Sequence, residues 1–293
     1  MTPNALRAAP SAAHPERMEP REPQDGSPGP HGPEPFDDEL AALGYVPPDP
    51  EEPQPVDLWS AVGDVRPWGT LLLLLSWGAV FLLAGATGAF MGPGGLRAWG
   101  ASATGLAWPG SAWRLLASTF LHAGAAHLFF NATSLLVVGP AVERIFTRWR
   151  FWLVYAAGGA SASLASLAWR SAREGASLSV GGSGAIFALG GALLVATVRL
   201  RHQLAPTRAR ALAAALLYLL APGFAAGYAK PGTDNAAHAA GLACGALLGA
   251  LLPLDPRLGG RAPGTWMRFV AVLCALALAA SLALGVSGGL GSP

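Results

Sequence analysis

From Trp68 onward the chain carries seven apolar segments, at about residues 68–90, 115–140, 151–169, 182–198, 211–229, 236–253 and 266–287. Most approach the roughly 20 residues that cross the hydrocarbon core of a bilayer. In that solvent the backbone N–H and C=O groups of a span have no water to bind, so runs of this length are restricted to helices. The expected fold class is an all-α polytopic membrane protein. Composition agrees: of 293 residues 52% are apolar and 12% are charged, and mean hydropathy is positive. An ordinary soluble globule is excluded on those grounds.

Charge divides the chain in two. All but four of the 17 acidic residues precede residue 65, the exceptions being Glu143, Glu174, Asp234 and Asp255. Residues 1–60 are rich in Pro, Glu and Asp and have no apolar periodicity, so they are expected to be a disordered cytoplasmic tail. They lack the basic start and short apolar core of a secretory leader. With the N-terminus inside, the inner loops and the tail hold fourteen basic residues and the outer loops hold five: Arg97, Arg114, Arg170, Arg173 and Lys230. That bias places the N-terminus in the cytoplasm and the C-terminus outside. The basic side chains are scattered without interleaved aromatics, which argues against nucleic-acid binding. Cys244 and Cys274 fall inside apolar runs, where they serve packing, and no disulfide is expected. Trp99, Trp108 and Trp113, in the loop of about 91–114, suit an interfacial, partly embedded segment.

Polar side chains at membrane depth are costly and mark function. Gly181-Gly182-Ser183-Gly184 opens the fourth and shortest apolar segment, and His238 lies near the outer end of the sixth. The expected topology brings both to one membrane face. A serine needs a base to become nucleophilic, and an acyl-transfer intermediate needs donors around its oxyanion. The flanking glycines leave room for a sharp entry and for substrate backbone. Taken alone, the motif also fits a glycine-rich helix contact, and His238 also fits a polar link between helices. Gly241, Gly245 and Gly249 follow His238 on one stripe, a pattern that lets two membrane helices approach closely. Phe187, one turn after Ser183, is placed to pack against an imidazole.

His127 and Asn131 share one face of the second segment through i, i+4 spacing, and both can donate to an oxyanion. The sequon Asn131-Ala132-Thr133 is set aside because it sits within an apolar span. A metal site is not expected: no H-E-x-x-H is present and no acid stands beside His122, His127 or His238. An aspartyl dyad is excluded because no two acids occupy the spans. Glu143 ends the second segment near Arg144 and reads as an interface residue.

Trp113-Arg114, the run from Phe120 through His122, His127 and Asn131, then Gly139 and Glu143, Gly181-Gly182-Ser183-Gly184, and Ala237-His238-Ala239-Ala240-Gly241 together resemble the rhomboid family of intramembrane serine proteases. The likeness covers roughly residues 66–253. It implies a six-helix core there, with residues 254–293 forming a linker and a seventh, C-terminal helix. It implies a Ser183–His238 dyad with no third acid and no cofactor, and an oxyanion hole of His127, Asn131 and the Ser183 backbone N–H. Arg114 and Glu143 would brace the loop after the first span, and Asn235 would stand at the active-site rim. His122, five residues before His127 and so on another helix face, is not assigned catalysis. Phe187 stands where the family commonly carries Tyr, so stacking on His238 survives but a phenol hydrogen bond does not.

The function implied is hydrolysis of single-span membrane proteins that enter sideways from the lipid bilayer and are cut near the outer interface at a small residue. Helix-breaking residues in the substrate should help, because a carbonyl bonded within a helix is not readily presented. Inner-membrane localisation in a bacterium is expected from the Ala- and Arg-rich composition. Without an acid to orient it, His238 is expected to be held by packing and mostly neutral at working pH. The alternative is a non-catalytic rhomboid-like factor that binds membrane proteins; such proteins usually lose Ser or His, and both are present here. A small transporter would need a polar path near the midplane. Nothing in the sequence sets an oligomeric state.

Overall fold

The apolar runs dictate most of the helices, and the polar and glycine-rich links between them dictate where they stop. The computed structural model describes Ala42 and residues 65–106, 109–173, 178–203, 206–229 and 234–291. In chain order these form α1 Trp68–Ala86, α2 Pro93–Ala98, the strand β1 Ser102–Ala103, α3 Arg114–Ala117, α4 Ala125–Ser171, β2 Leu178–Ser179, α5 Ser183–Arg199, α6 Pro206–Ala229, α7 Asn235–Leu251 and α8 Thr265–Leu290. Apart from Ala42, the acidic tail expected over 1–60 lies outside the described residues. Helices α1, α4 and α8 are long and apolar enough to cross a membrane, and α5 and α7 are apolar helices of 17 residues each. The chain is a polytopic helical membrane protein.

The segments expected at 115–140 and 151–169 share α4, which is broken at Thr147 (φ 74°, ψ 155°). A β-branched residue in the left-handed region is strained, and here it separates the two halves between Arg144 and Arg148. Residues 115–124 do not join the helix. They form α3, a 3-10 turn Ser118–Phe120 and a short extended link through Leu121 to Gly124. His122 therefore sits in the link before α4 rather than on a second face of that helix.

Outward faces are apolar: Leu72, Leu75, Leu82, Phe129, Phe130, Leu247 and Leu276 are exposed. Lipid tails are as apolar as Leu, so hydrophobicity alone does not drive these helices together, and close packing must. The buried side chains include Trp77, Phe146, Phe151, Tyr155 and Leu189. Helix α7 lies on α5 through three glycines in register. A methyl group at Gly241 would strike the Gly184 carbonyl, one at Gly245 the Ala188 carbonyl, and one at Gly249 would come within 2.8 Å of Ala192 Cα.

Glu143 does not brace the loop after α1, as the sequence suggested, but receives the start of α1. Buried in α4 at 1% exposure, it accepts from Gly69 N at 2.9 Å, Thr70 N at 2.8 Å and Thr70 Oγ1 at 2.7 Å. The first N–H groups of a helix have no intrahelical acceptor, and a carboxylate there also meets the positive end of the helix dipole. Glu143→Ala leaves three buried donors without that acceptor. It is expected to destabilise the protein by at least about 3 kcal/mol, read as a fall in unfolding temperature in detergent or lipid.

The loop after α1 is braced instead by Arg114. Its guanidinium lies 4.5 Å from the Trp113 ring centroid and donates to the Arg97 and Ala101 carbonyls. Trp99, expected at the interface, is 2% exposed; its Nε1 donates to Thr87 Oγ1 at 3.1 Å, and Gly285 and Gly289 of α8 pack on it. Trp113 is half-buried, and Trp108 lies outside the described residues.

Candidate active site

Ser183 is the first residue of α5, entered from Gly181 at φ 127°, a conformation that L side chains rarely adopt. The approach to it is held at two points. Strand β2 pairs antiparallel with β1, Ser179 opposite Ser102 and Leu178 opposite Ala103, so the loop after α1 supports the strand leading to the serine. Two residues on, Gly181 N donates to Ser118 O at 2.9 Å. Trp77 of α1 packs beneath Gly182, where any side chain would collide with the indole.

His238 lies in the first turn of α7, and its Nε2 stands 2.9 Å from Ser183 Oγ. That is hydrogen-bond distance for a hydroxyl paired with an imidazole base. The ring is fixed by packing: Phe187 stacks on it at 4.3 Å between centroids and 8° between planes, and Phe224 of α6 meets it edge-on at 6.0 Å. No side-chain oxygen among the described residues reaches His238 Nδ1. The close contact of α5 with α7 at Gly184 and Gly241 is what brings Ser183 within reach of the imidazole.

His127 and Asn131 of α4 face the same glycine turn. A methyl group at Gly181 would lie 2.8 Å from His127 Cε1 and Nε2 and 3.6 Å from Asn131 Nδ2. Ala123 N donates to His127 Nδ1 at 3.4 Å, which favours the tautomer carrying its proton on Nε2, the nitrogen nearest the turn. Asn131 is buried, and its Nδ2 has no partner among the described residues. Two donors thus face the backbone beside Ser183. His122 packs edge-on against His127 at 5.2 Å and against Trp77 at 4.9 Å, behind this surface.

Of the remaining candidates, Asn235 donates to Phe224 O at 3.3 Å and links α7 to α6 beside the imidazole, whereas Arg114 and Glu143 act on α1 and its loop. Sequence reasoning missed Trp77, Ser118 and Phe224. Trp77 was legible as an aromatic inside an apolar run, but its contact with Gly182 depends on how α1 docks. Ser118 acts through its backbone carbonyl, for which side-chain identity carries no signal.

The rhomboid domain matches residues 109–254. Ser183, His238, His127 and Asn131 all lie within that range. Among curated proteins, rhomboid protease GluP of Bacillus subtilis (strain 168) is 37% identical over 164 residues, which is 56% of this chain and 30% of its own length. RHOMBOID-like protein 5 of Arabidopsis thaliana is 35% identical over 167 residues, 56% of this chain and 52% of its own. Rhomboid protease AarA of Providencia stuartii is 29% identical over 200 residues, 62% of this chain and 68% of its own. The chain therefore spans about half or less of the length of the first two.

Proposed function

Since the chain belongs to the rhomboid family, we propose that it is an intramembrane serine endopeptidase acting through a Ser183–His238 dyad on membrane proteins with a single span. The observation that carries this is the 2.9 Å approach of His238 Nε2 to Ser183 Oγ, made between two apolar helices. His238 takes the Ser183 proton, Ser183 Oγ attacks the peptide carbonyl, and His238 returns the proton to the leaving amine. His127 Nε2–H, Asn131 Nδ2 and the Ser183 backbone N–H stabilise the tetrahedral oxyanion. Water then releases the acyl group from Ser183 by the same route.

The proposed topology has the N-terminus in the cytoplasm, the C-terminus outside and the dyad near the outer face of a bacterial inner membrane. The excess of Arg in the inner loops supports it. A 17-residue helix rises only about 25 Å, less than the ~30 Å hydrocarbon core, so α5 can begin below the headgroups. A substrate carbonyl already bonded within a helix cannot be attacked readily, so substrates with helix-breaking residues near the outer interface should be cut faster.

The test is cleavage of a fluorogenic single-span substrate by the purified protein in liposomes, together with fluorophosphonate labelling. Cleavage and labelling at Ser183 support the proposal. A folded protein that does neither, across several substrates, overturns it in favour of a non-catalytic binding factor. His127→Ala and Asn131→Ala are each expected to lower kcat by about 10²–10³-fold with little change in KM, because an oxyanion donor acts chiefly in the transition state. An unchanged kcat in both variants removes them from the hole.

A further inference from the structure

We propose that Asp234 is a positioning residue for the dyad, its one carboxylate tying together the helix end that bears His238, the strand that leads into Ser183, and α4. This rests on the serine-protease reading above. Asp234 Oδ1 accepts from Ala237 N at 3.1 Å, capping α7, and the Asp234 backbone carbonyl accepts from His238 N at 3.1 Å. Its other oxygen, Oδ2, accepts from Ser166 Oγ of α4 and from Ser179 Oγ of β2 at 3.5 Å, and pairs with Arg170 Nε at 3.7 Å. Arg170 Nε in turn donates to Ser166 O at 3.2 Å.

The arrangement answers a problem that the dyad poses. No side-chain oxygen at Nδ1 orients the imidazole; Phe187 and Phe224 hold the ring, and the line between Ser183 and His238 then depends on the two helix starts that carry them. Those starts belong to elements distant in sequence: Ser179 lies four residues before Ser183, and Asp234 lies four before His238. The capped turn sets the rise and rotation of His238 about α7. The Ser179 contact sets the position of β2 against that same turn, and Ser166, fully buried in α4, gives both a fixed reference. Arg170 compensates the charge, which a half-buried carboxylate near lipid requires. Displacements of about 1 Å in a reacting pair cost on the order of 10²-fold in rate, so a device that limits them acts on kcat.

The experiment uses the full chain in liposomes, with kcat and KM for a single-span substrate, the rate of fluorophosphonate labelling, and hydrogen exchange of residues 178–184 and 235–240. Asp234→Ala is expected to lower kcat and the labelling rate together by about tenfold or more, with KM within about twofold, and to speed exchange in both segments. Asp234→Asn still accepts from Ala237 N and pairs with the Ser166 hydroxyl, and should stay within about threefold of wild type. Ser166→Ala keeps the cap and the Arg170 pair but removes the hydroxyl link to α4. It should lower kcat by about threefold at unchanged KM, which keeps the test open should Asp234→Ala fail to fold. An Asp234→Ala protein with wild-type kcat, an Asn variant as impaired as the Ala variant, or faster exchange confined to 235–240 overturns the proposal. If the wild type neither cleaves nor labels, the enzymatic reading fails, while the exchange measurements still decide whether Asp234 couples the two segments.

Discussion

Ser183→Ala is expected to reduce cleavage in liposomes by about 10⁴-fold or more, and His238→Ala by a comparable factor, because neither member of a nucleophile–base pair works without the other. For the same reason the double variant should be no worse than either single one, a non-additivity that separates a catalytic pair from two residues that merely stabilise the fold. If the proposed dyad operates, fluorophosphonate labelling should vanish in Ser183→Ala, which lacks the proposed nucleophile, and fall steeply in His238→Ala, where the hydroxyl remains without its proposed base. Ser183→Ala removes only a hydroxyl from a half-buried position and should unfold near the wild-type temperature. His238→Ala removes the ring on which Phe187 stacks, so some loss of stability is expected there. Additive effects on cleavage, or residual labelling of Ser183→Ala, would remove the dyad from the mechanism.

The second large effect is expected away from the chemistry. Gly245→Leu places a side chain where the Ala188 carbonyl of α5 already stands. The obstacle is backbone within a helix and cannot rotate aside, so α5 and α7 must separate. Ordinary over-packing costs about 1–3 kcal/mol where side chains can yield; here the cost should exceed that range. The predicted outcome is loss of folded protein, or a folded remnant without activity because Ser183 and His238 ride on the two helices forced apart. The graded series makes the argument testable by thermal unfolding. Gly245→Ala should be worse than Gly249→Ala, whose added methyl meets Ala192 Cα at 2.8 Å. Gly78→Ala in α1, with nothing within 4 Å, should be neutral or stabilising by up to about 1 kcal/mol. Equal effects at the three positions would show that helix propensity rather than close approach governs the stripe.

The helices and the catalytic candidates were legible in the sequence because both follow from short-range rules. In lipid a backbone must satisfy itself within its own segment, so an apolar run of sufficient length is already a helix, and α1, α5, α7 and α8 begin within a residue of where those runs do. The i, i+4 spacing put His127 with Asn131 and Ser183 with Phe187 on shared faces, and the glycine stripe after His238 announced a close partner without naming it. Three features required the tertiary structure. Glu143 reaches back 74 residues to Gly69, Trp99 is buried under α8, and the Asp234 carboxylate meets Ser166 across 68 residues. A carboxylate, an indole and an N-cap look alike in sequence whether they face headgroups or another helix. What decides among those surroundings is the register in which helices dock, set by steric fit between backbones far apart in the chain, where no local pattern in either segment records the partner.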